Sequence, residues 1–259
     1  MAVWIGLGWA LGISANGYLL LGVPIAAAFQ SWVARRPLHA AWVRDASRFW
    51  LDRTGVLLAA ALAAFPAFVL LRRVLVGSRG ADWIVALWLL AAIVGAVCGA
   101  FAFRSFQRAT VRHLVACLAT AGVLGVAMFV AARLARPGDE ALTARAALDG
   151  LRWFLLYLPV AFVLEEVFFR GVVDAHVHRQ GESHGVMTAV FVSVLWGLWH
   201  LPISPIRDSV WVRGTSLIAV HVIIGVPLSV YWRRSGNLAV PATVHAFING
   251  VRNALGLYA

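Results

Sequence analysis

The stretch WIVALWLLAAIVGAVCGAFAF, residues 83–103, carries no charged side chain from end to end. A bilayer core about 30 Å thick is crossed by about 20 such residues in a helix that rises about 1.5 Å per residue. This run therefore reads as a membrane span. Outward from it, comparable runs occupy roughly residues 3–30, 55–71, 114–132, 152–175, 186–205, 216–232 and 236–257. The 259-residue chain is 62% hydrophobic and only 13% charged, with a mean hydropathy of +0.84, which sets it apart from ordinary soluble domains. The expected fold is all-α, a polytopic transmembrane helical bundle with about eight spans and no separate soluble domain.

The longest polar stretches, 33–54 and 133–151, are short and read as interfacial helices or loops. The net charge of +11 raises the question of a nucleic-acid partner, but the 22 basic residues are spread through nearly every loop instead of lining one element. That distribution fits anchoring at membrane flanks and the lipid bilayer as partner, with no nucleic acid. All the basic residues are Arg, which with heavy Ala usage points to a GC-rich genome and a bacterial cytoplasmic (inner) membrane. The first apolar run lacks a basic start and is too long for a cleavable signal peptide, so it is expected to be retained as a span. Arg is slightly more frequent in the odd-numbered loops, which favours an N-terminus outside. Cys98 and Cys117 lie within apolar runs and read as small hydrophobes, with neither a disulfide nor a thiol metal site indicated.

Charge inside the spans is concentrated in one place. Nine acidic residues (Asp45, Asp52, Asp82, Asp139, Glu140, Asp149, Asp174, Glu182 and Asp208) fall in loops or near segment ends; Glu165 and Glu166 sit well inside LYLPVAFVLEEVFFRG, residues 156–171. An acidic residue at a helix centre costs about 2.5–3.5 kcal/mol on insertion scales, so the pair calls for a partner, an aqueous cavity or protonation. On a helix Arg170 lies four residues after Glu166 on the same face, a natural ion pair. Glu165 points about 100° away and has no such neighbour. One carboxylate is thus fixed and the other is free to face a cavity as an acid or base. The plainer reading is that both glutamates merely bridge helices.

Three histidines lie within spans: His200, His221 and His245. A single membrane histidine is more often an interhelical hydrogen-bonder than a catalyst. His245 is followed by Asn249 and Asn253, which suggests a polar stripe on the last helix. Pro202 and Pro205 follow His200 and are expected to break the helix there. His221 has apolar neighbours and Gly225 and reads as structural. For these groups to meet Glu165 near the bilayer midplane, the fifth helix must be long, running past Arg170 to about His176. A metal site in GVVDAHVHRQGESHG, from Asp174, His176, His178 and His184, is weighed against a hydrated loop, and the loop is preferred.

These residues resemble the CAAX-protease and bacteriocin-processing (CPBP) intramembrane proteases, which include the Ras-converting type of CAAX prenyl endopeptidase. The family's EExxxR signature stands as Glu165, Glu166 and Arg170 in EEVFFR; its aromatic-xxxHis signature as Trp196 and His200 in WGLWH, with Trp in place of the commoner Phe; its HxxxN signature as His245 and Asn249 in HAFIN. The resemblance covers residues 152–257. It divides the chain into 1–151, N-terminal transmembrane helices, interfacial segments and loops, and 152–259, a CPBP-like catalytic core. It implies an intramembrane endopeptidase in which Glu165 activates water, His200 orients it, and His245 and Asn249 stabilise the oxyanion, with Glu166, Arg170 and Trp196 supporting. It implies no cofactor. Glu165 and two histidines could alternatively form a two-His, one-carboxylate zinc set.

The implied substrate is a membrane-anchored protein or peptide, cleaved near a C-terminal anchor or sorting tail; a leader peptide is the other possibility. Two rivals stand beside this reading: a non-catalytic membrane binding or bacteriocin-immunity protein, and a transporter using the glutamates as ion ligands. The transporter would call for charged residues and broken helices in both halves, yet intramembrane charge occurs only in the C-terminal half.

Overall fold

A computed structural model describes residues 2–10, 14–76, 82–135, 144–178, 181, 185–204 and 209–257. Among these residues the chain is helical, with no strand and an isolated antiparallel bridge between Val43 and Asn237. The N-terminal half comprises α1 (Ala2–Ala10), α2 (Ala15–Leu20), α3 (Gly22–Ala28), α4 (Arg53–Val76), α5 (Asp82–Arg104), α6 (Arg108–Cys117) and α7 (Val123–Leu134). A π-helical turn, Leu118–Gly122, joins α6 to α7 without a break in the helical path. The C-terminal half comprises α8 (Ala144–Ala161), α9 (Ala175–Val177), α10 (Gly185–Trp199), α11 (Val210–Ser235) and α12 (Ala239–Ala254).

Among the described residues, five helical stretches are long and apolar enough to cross a membrane: Arg53–Arg73, Trp83–Arg104, Arg108–Leu134, Gly185–Ile203 and Val210–Ser235. The other three expected spans are built differently. The run 3–30 is divided among α1, α2, α3 and a π-helical turn, Phe29–Val33, and residues 11–13 lie outside the described residues. The last run forms α12, whose 16 residues are shorter than the roughly 20 of a full span.

The expected long fifth helix reaches Val177 but is interrupted at Phe162–Leu164, where the Trp42 indole N–H donates to the Phe162 carbonyl at 2.6 Å in place of the next helical turn; the break follows soon after Pro159. Helix α8 ends two residues later. The N–H groups of Phe162 and Val163 reach back only three residues, to the carbonyls of Pro159 and Val160, each at 3.1 Å. Helix resumes at Glu165 and widens into a π-helix, Val167–Asp174, a form that occurs mostly in short pieces and often at functional sites. The late part of the polar stretch 133–151 is the start of α8, which shows that its polar residues cover a helix face and not only a loop.

Helices α4 and α5, α8 and α12, and α10 and α11 pack as pairs. Glycines set how closely they approach, as is common where lipid removes the hydrophobic driving force between helices. A Cβ on Gly95 of α5 would collide with the Pro159 carbonyl, and one on Gly197 of α10 would lie 2.8 Å from the Ile218 Cα of α11. The segment between the Phe29–Val33 turn and α4 is a strap laid against the α11–α12 corner. Its Arg44 N–H donates to the Gly236 carbonyl at 2.9 Å, and its Trp42 carbonyl accepts from Leu238 N–H at 2.8 Å. Gly236 closes α11 with φ of 60°, a left-handed conformation that favours glycine.

At one end of the α4–α5 pair, Asp52 accepts hydrogen bonds from Gly55 N–H at 2.7 Å and from Arg104 Nε at 3.1 Å. The Arg104 guanidinium, with help from that backbone N–H, holds the Asp52 carboxyl below its ordinary value of 3.8. A carboxyl whose folded value is depressed stabilises the fold above its unfolded value and loses that effect as pH falls through the folded one. The unfolding midpoint of the wild type in detergent micelles should therefore exceed that of Asp52→Asn at neutral pH, and the two should converge below about pH 4. A constant gap down to the acid end would contradict this.

Candidate active site

The two adjacent glutamates face different surroundings. The Glu166 side chain is fully buried, whereas that of Glu165 keeps 18% of its surface. Glu166 Oε1 lies 3.2 Å from Nη1 of Arg170, one turn along the widened helix. Arg170 is fully buried as well, donates from Nη2 to the Gly225 carbonyl at 3.4 Å, and lies 4.1 Å over the ring of Trp196. Carboxylate, carbonyl and aromatic face thus offset the desolvation of one guanidinium. Gly225 makes the room: a Cβ there would sit 2.5 Å from Ser193 Oγ and 2.9 Å from Arg170 Nη2.

Glu165 turns toward a cluster drawn from two other helices. Its Oε2 accepts from the Trp196 indole N–H at 2.7 Å and lies 3.5 Å from His200 Nε2 and 3.9 Å from His245 Nε2. Trp196 and His200 stand one turn apart at the end of α10, so one face delivers both. Helix α10 stops there because Pro202 cannot continue its hydrogen bonding. The Trp at this position adds an N–H that the commoner Phe lacks.

Backbone and side-chain partners set the tautomers. His200 Nδ1 lies 3.0 Å from the Trp196 carbonyl, which can only accept, so Nδ1 carries the proton and Nε2 presents a lone pair toward Glu165. Two acceptors 3.5 Å apart suit a shared proton or a water donating to both. His245 Nε2 is 3.0 Å from the Asn249 amide nitrogen, and its Nδ1 is 2.9 Å from Glu166 Oε1, a close electrostatic contact without the alignment of a good hydrogen bond. One ring therefore stands between the two carboxylates.

The cluster has open space on both sides. A cavity of about 50 Å³ touches Glu165, His200, His221, His245, Asn249 and Arg252. A second, of about 40 Å³, touches Glu165, His245 and Asn249 from the side of Trp88 and Tyr157. Either holds at least one water, which takes roughly 10–15 Å³ by this measure.

All seven residues singled out from the sequence are thus gathered at one locus. Two more join them. His221, read as structural from the sequence, lies on the cavity wall with its ring 4.3 Å from that of His200 and 4.5 Å, edge-on, from that of Trp196. The available signal was Gly225 one turn later, which lets α11 approach α10 closely. Arg252 takes the place expected of Asn253. Seven residues after His245 a helix returns to within about 20° of the same direction, while eight residues bring it to about 80°. Asn253 is accordingly buried away from the cavity and accepts from Arg252 Nε at 3.3 Å.

Among the described residues no three His, Cys, Asp or Glu side chains are grouped to hold a metal ion. In GVVDAHVHRQGESHG, Asp174 is buried against Arg233 at 2.7 Å and His176 packs edge-on against Phe29, while His184 lies outside the described residues, as does Pro205.

Stability separates the two glutamates. Leaving one member of the sealed Glu166–Arg170 pair unpaired, as in Arg170→Met, should cost about 3–5 kcal/mol. Thermal unfolding in micelles should show this large loss, partial recovery in the Glu166→Gln/Arg170→Met double variant, and a midpoint near wild type for Glu165→Gln. Equal losses at both glutamates would refute the division of roles.

No curated protein and no solved structure matches the chain. A family model described as Type II CAAX prenyl endopeptidase Rce1-like matches residues 146–251, a range that includes the turn of Glu165, the end of α10 and the His245–Asn249 face of α12. The region of the chain that builds this cluster is thus similar to the Rce1-like type II CAAX prenyl endopeptidases.

Proposed function

We propose that the protein is an intramembrane, glutamate-type endopeptidase of a bacterial cytoplasmic membrane. It cleaves a membrane-anchored protein or peptide near a C-terminal anchor or sorting tail. The observation that carries this reading is the position of Glu165 Oε2, close to Trp196, His200 and His245 at once and beside water-sized space.

In this reading a water between Glu165 and His200 Nε2 donates to both. Glu165 takes one proton as the water oxygen bonds to the scissile carbonyl carbon, whose π electrons move onto oxygen. The resulting oxyanion accepts a hydrogen bond from the Asn249 amide, which has a second N–H beyond the one directed at His245. His245, whose Nε2 lies 3.0 Å from that amide, holds it in place. Collapse of the intermediate breaks the C–N bond, and the proton held by Glu165 passes to the leaving amine. No metal takes part: the Asn249 amide occupies the His245 Nε2 lone pair that a metal would need. The broken segments 3–30 and 152–175 and the short α12 complete the expected eight crossings, with irregular backbone lining protein and cavity instead of lipid.

The test compares membrane and secreted proteomes of the wild type and of a Glu165→Ala strain at equal protein levels. One protein should keep an uncleaved terminus in the variant. With that substrate and purified protein, Glu165→Gln and His200→Ala should abolish turnover, Asn249→Ala should lower kcat by about 10²–10³-fold, and exhaustive chelation should leave the rate unchanged. Full processing in the Glu165→Ala strain would end the protease reading, and zinc lost on His200→Ala would end the metal-free one.

A further inference from the structure

One group on the wall of the cavity of about 50 Å³ belongs to none of the three sequence motifs and takes no part in activating water. His221 reaches this wall from α11 and is buried. Its Nδ1 lies 2.6 Å from the Leu217 carbonyl, one turn earlier. A carbonyl can only accept, so in the neutral ring Nδ1 carries the proton and Nε2 is left with a lone pair. Among the described residues that lone pair has no hydrogen-bond partner. The ring itself is held in place, 4.3 Å from that of His200 and 4.5 Å, edge-on, from that of Trp196. The cavity therefore contains a fixed acceptor with nothing to accept.

We infer that His221 Nε2 accepts a hydrogen bond from the N–H of the scissile amide. This rests on the endopeptidase reading of the same cavity. A peptide bond brings three demands to such a site: its carbon must be attacked, its oxygen gains charge, and its N–H needs an acceptor. Water on Glu165 and His200 meets the first, and the Asn249 amide meets the second. A trans amide points its C=O and N–H in opposite directions, so the acceptor must come from an element other than α12. His221 supplies it from α11, beside His200. The attacked carbon stands about 3–3.5 Å from the water oxygen and its nitrogen about 1.33 Å beyond, a displacement comparable with the 4.3 Å between the His200 and His221 rings. As the tetrahedral intermediate forms, the nitrogen becomes pyramidal and gains a lone pair. With its N–H held at His221, that lone pair is turned toward Glu165, which carries the proton taken from water. Transfer of this proton to nitrogen and cleavage of the C–N bond release the amine and return Glu165 to carboxylate; the original N–H stays on nitrogen throughout.

The probe is the peptide spanning the cleaved junction of the protein recovered in the Glu165→Ala comparison. It is synthesised in two forms, one with the scissile amide and one with an ester oxygen in place of that N–H. Hydrolysis of each is followed with the purified full chain in dodecyl maltoside micelles, and the rate with Glu165→Gln is subtracted as the blank. His221→Phe keeps a ring against His200 and Trp196 but has no lone pair. It should lower kcat/KM for the amide by about 10–100-fold and change that for the ester by no more than about twofold, because the ester has no N–H to leave unmet. His221→Gln, whose side-chain oxygen can accept, should keep the amide within about fivefold of the wild type. Thermal unfolding of both variants should stay near the wild type. An amide rate that His221→Phe leaves unchanged overturns the inference. Amide and ester rates that fall together, or a His221→Gln variant as impaired on the amide as His221→Phe, overturn it as well, since each marks a role in packing alone. The protease reading fails separately, by full processing in the Glu165→Ala strain or by a wild type that cleaves neither form, and the inference falls with it.

Discussion

The buried pair of Glu166 and Arg170 is the constraint from which the rest of the site follows. Neither charge reaches water, so each must be met by the protein, and the partners come from three further elements. Helix α10 supplies the Trp196 face, α11 the Gly225 carbonyl, and α12 the His245 ring. An ion pair of this kind adds little net stability over well-packed apolar side chains, but its loss of one member is severe, and it admits few alternative arrangements. Meeting its needs brings α10, α11 and α12 together around the π-helical segment. Once they are there, Glu165, His200, His245 and Asn249 have little freedom to be anywhere else.

The N-terminal half contributes through hydrogen bonds to backbone groups that the helix breaks leave free. Two such breaks flank the site, at Phe162–Leu164 before Glu165 and at His200 after α10. At the first, the Trp42 indole N–H donates to the Phe162 carbonyl at 2.6 Å; at the second, the Tyr18 hydroxyl donates to the Trp199 carbonyl at 2.9 Å. Irregular backbone at membrane depth is tolerated only when protein or trapped water satisfies it. Trp4, Tyr18, Phe168, Phe169 and Trp199 then fill the space between the halves with edge-on and tilted ring contacts. The N-terminal half thus supports the two kinks beside which Glu165 and His200 stand.

What could be read from the sequence follows the reach of its rules. Apolar runs such as 83–103 report directly on helices, because a bilayer demands length and little else. The Glu166–Arg170 pair was legible from spacing alone. The interrupted fifth helix was less so: the Phe162 carbonyl at the break is met by Trp42, which lies 120 residues away. Arg252 was missed because a stripe counted in steps of four drifts off the true helical period within two turns. His221 was missed because its role depends on how closely α11 approaches α10, a distance fixed by Gly197 and Gly225 together.

His245 has a consequence for how the site holds its protons. Its two ring nitrogens lie near different carboxylates, Nδ1 by Glu166 and Nε2 by Glu165, and Asn249 is joined to the same ring. A proton gained or lost at any one of these groups changes what the ring offers the others. The centre is better regarded as one electrostatic unit with several seats, to which the sealed Glu166 belongs although it lines neither of the two cavities beside Glu165.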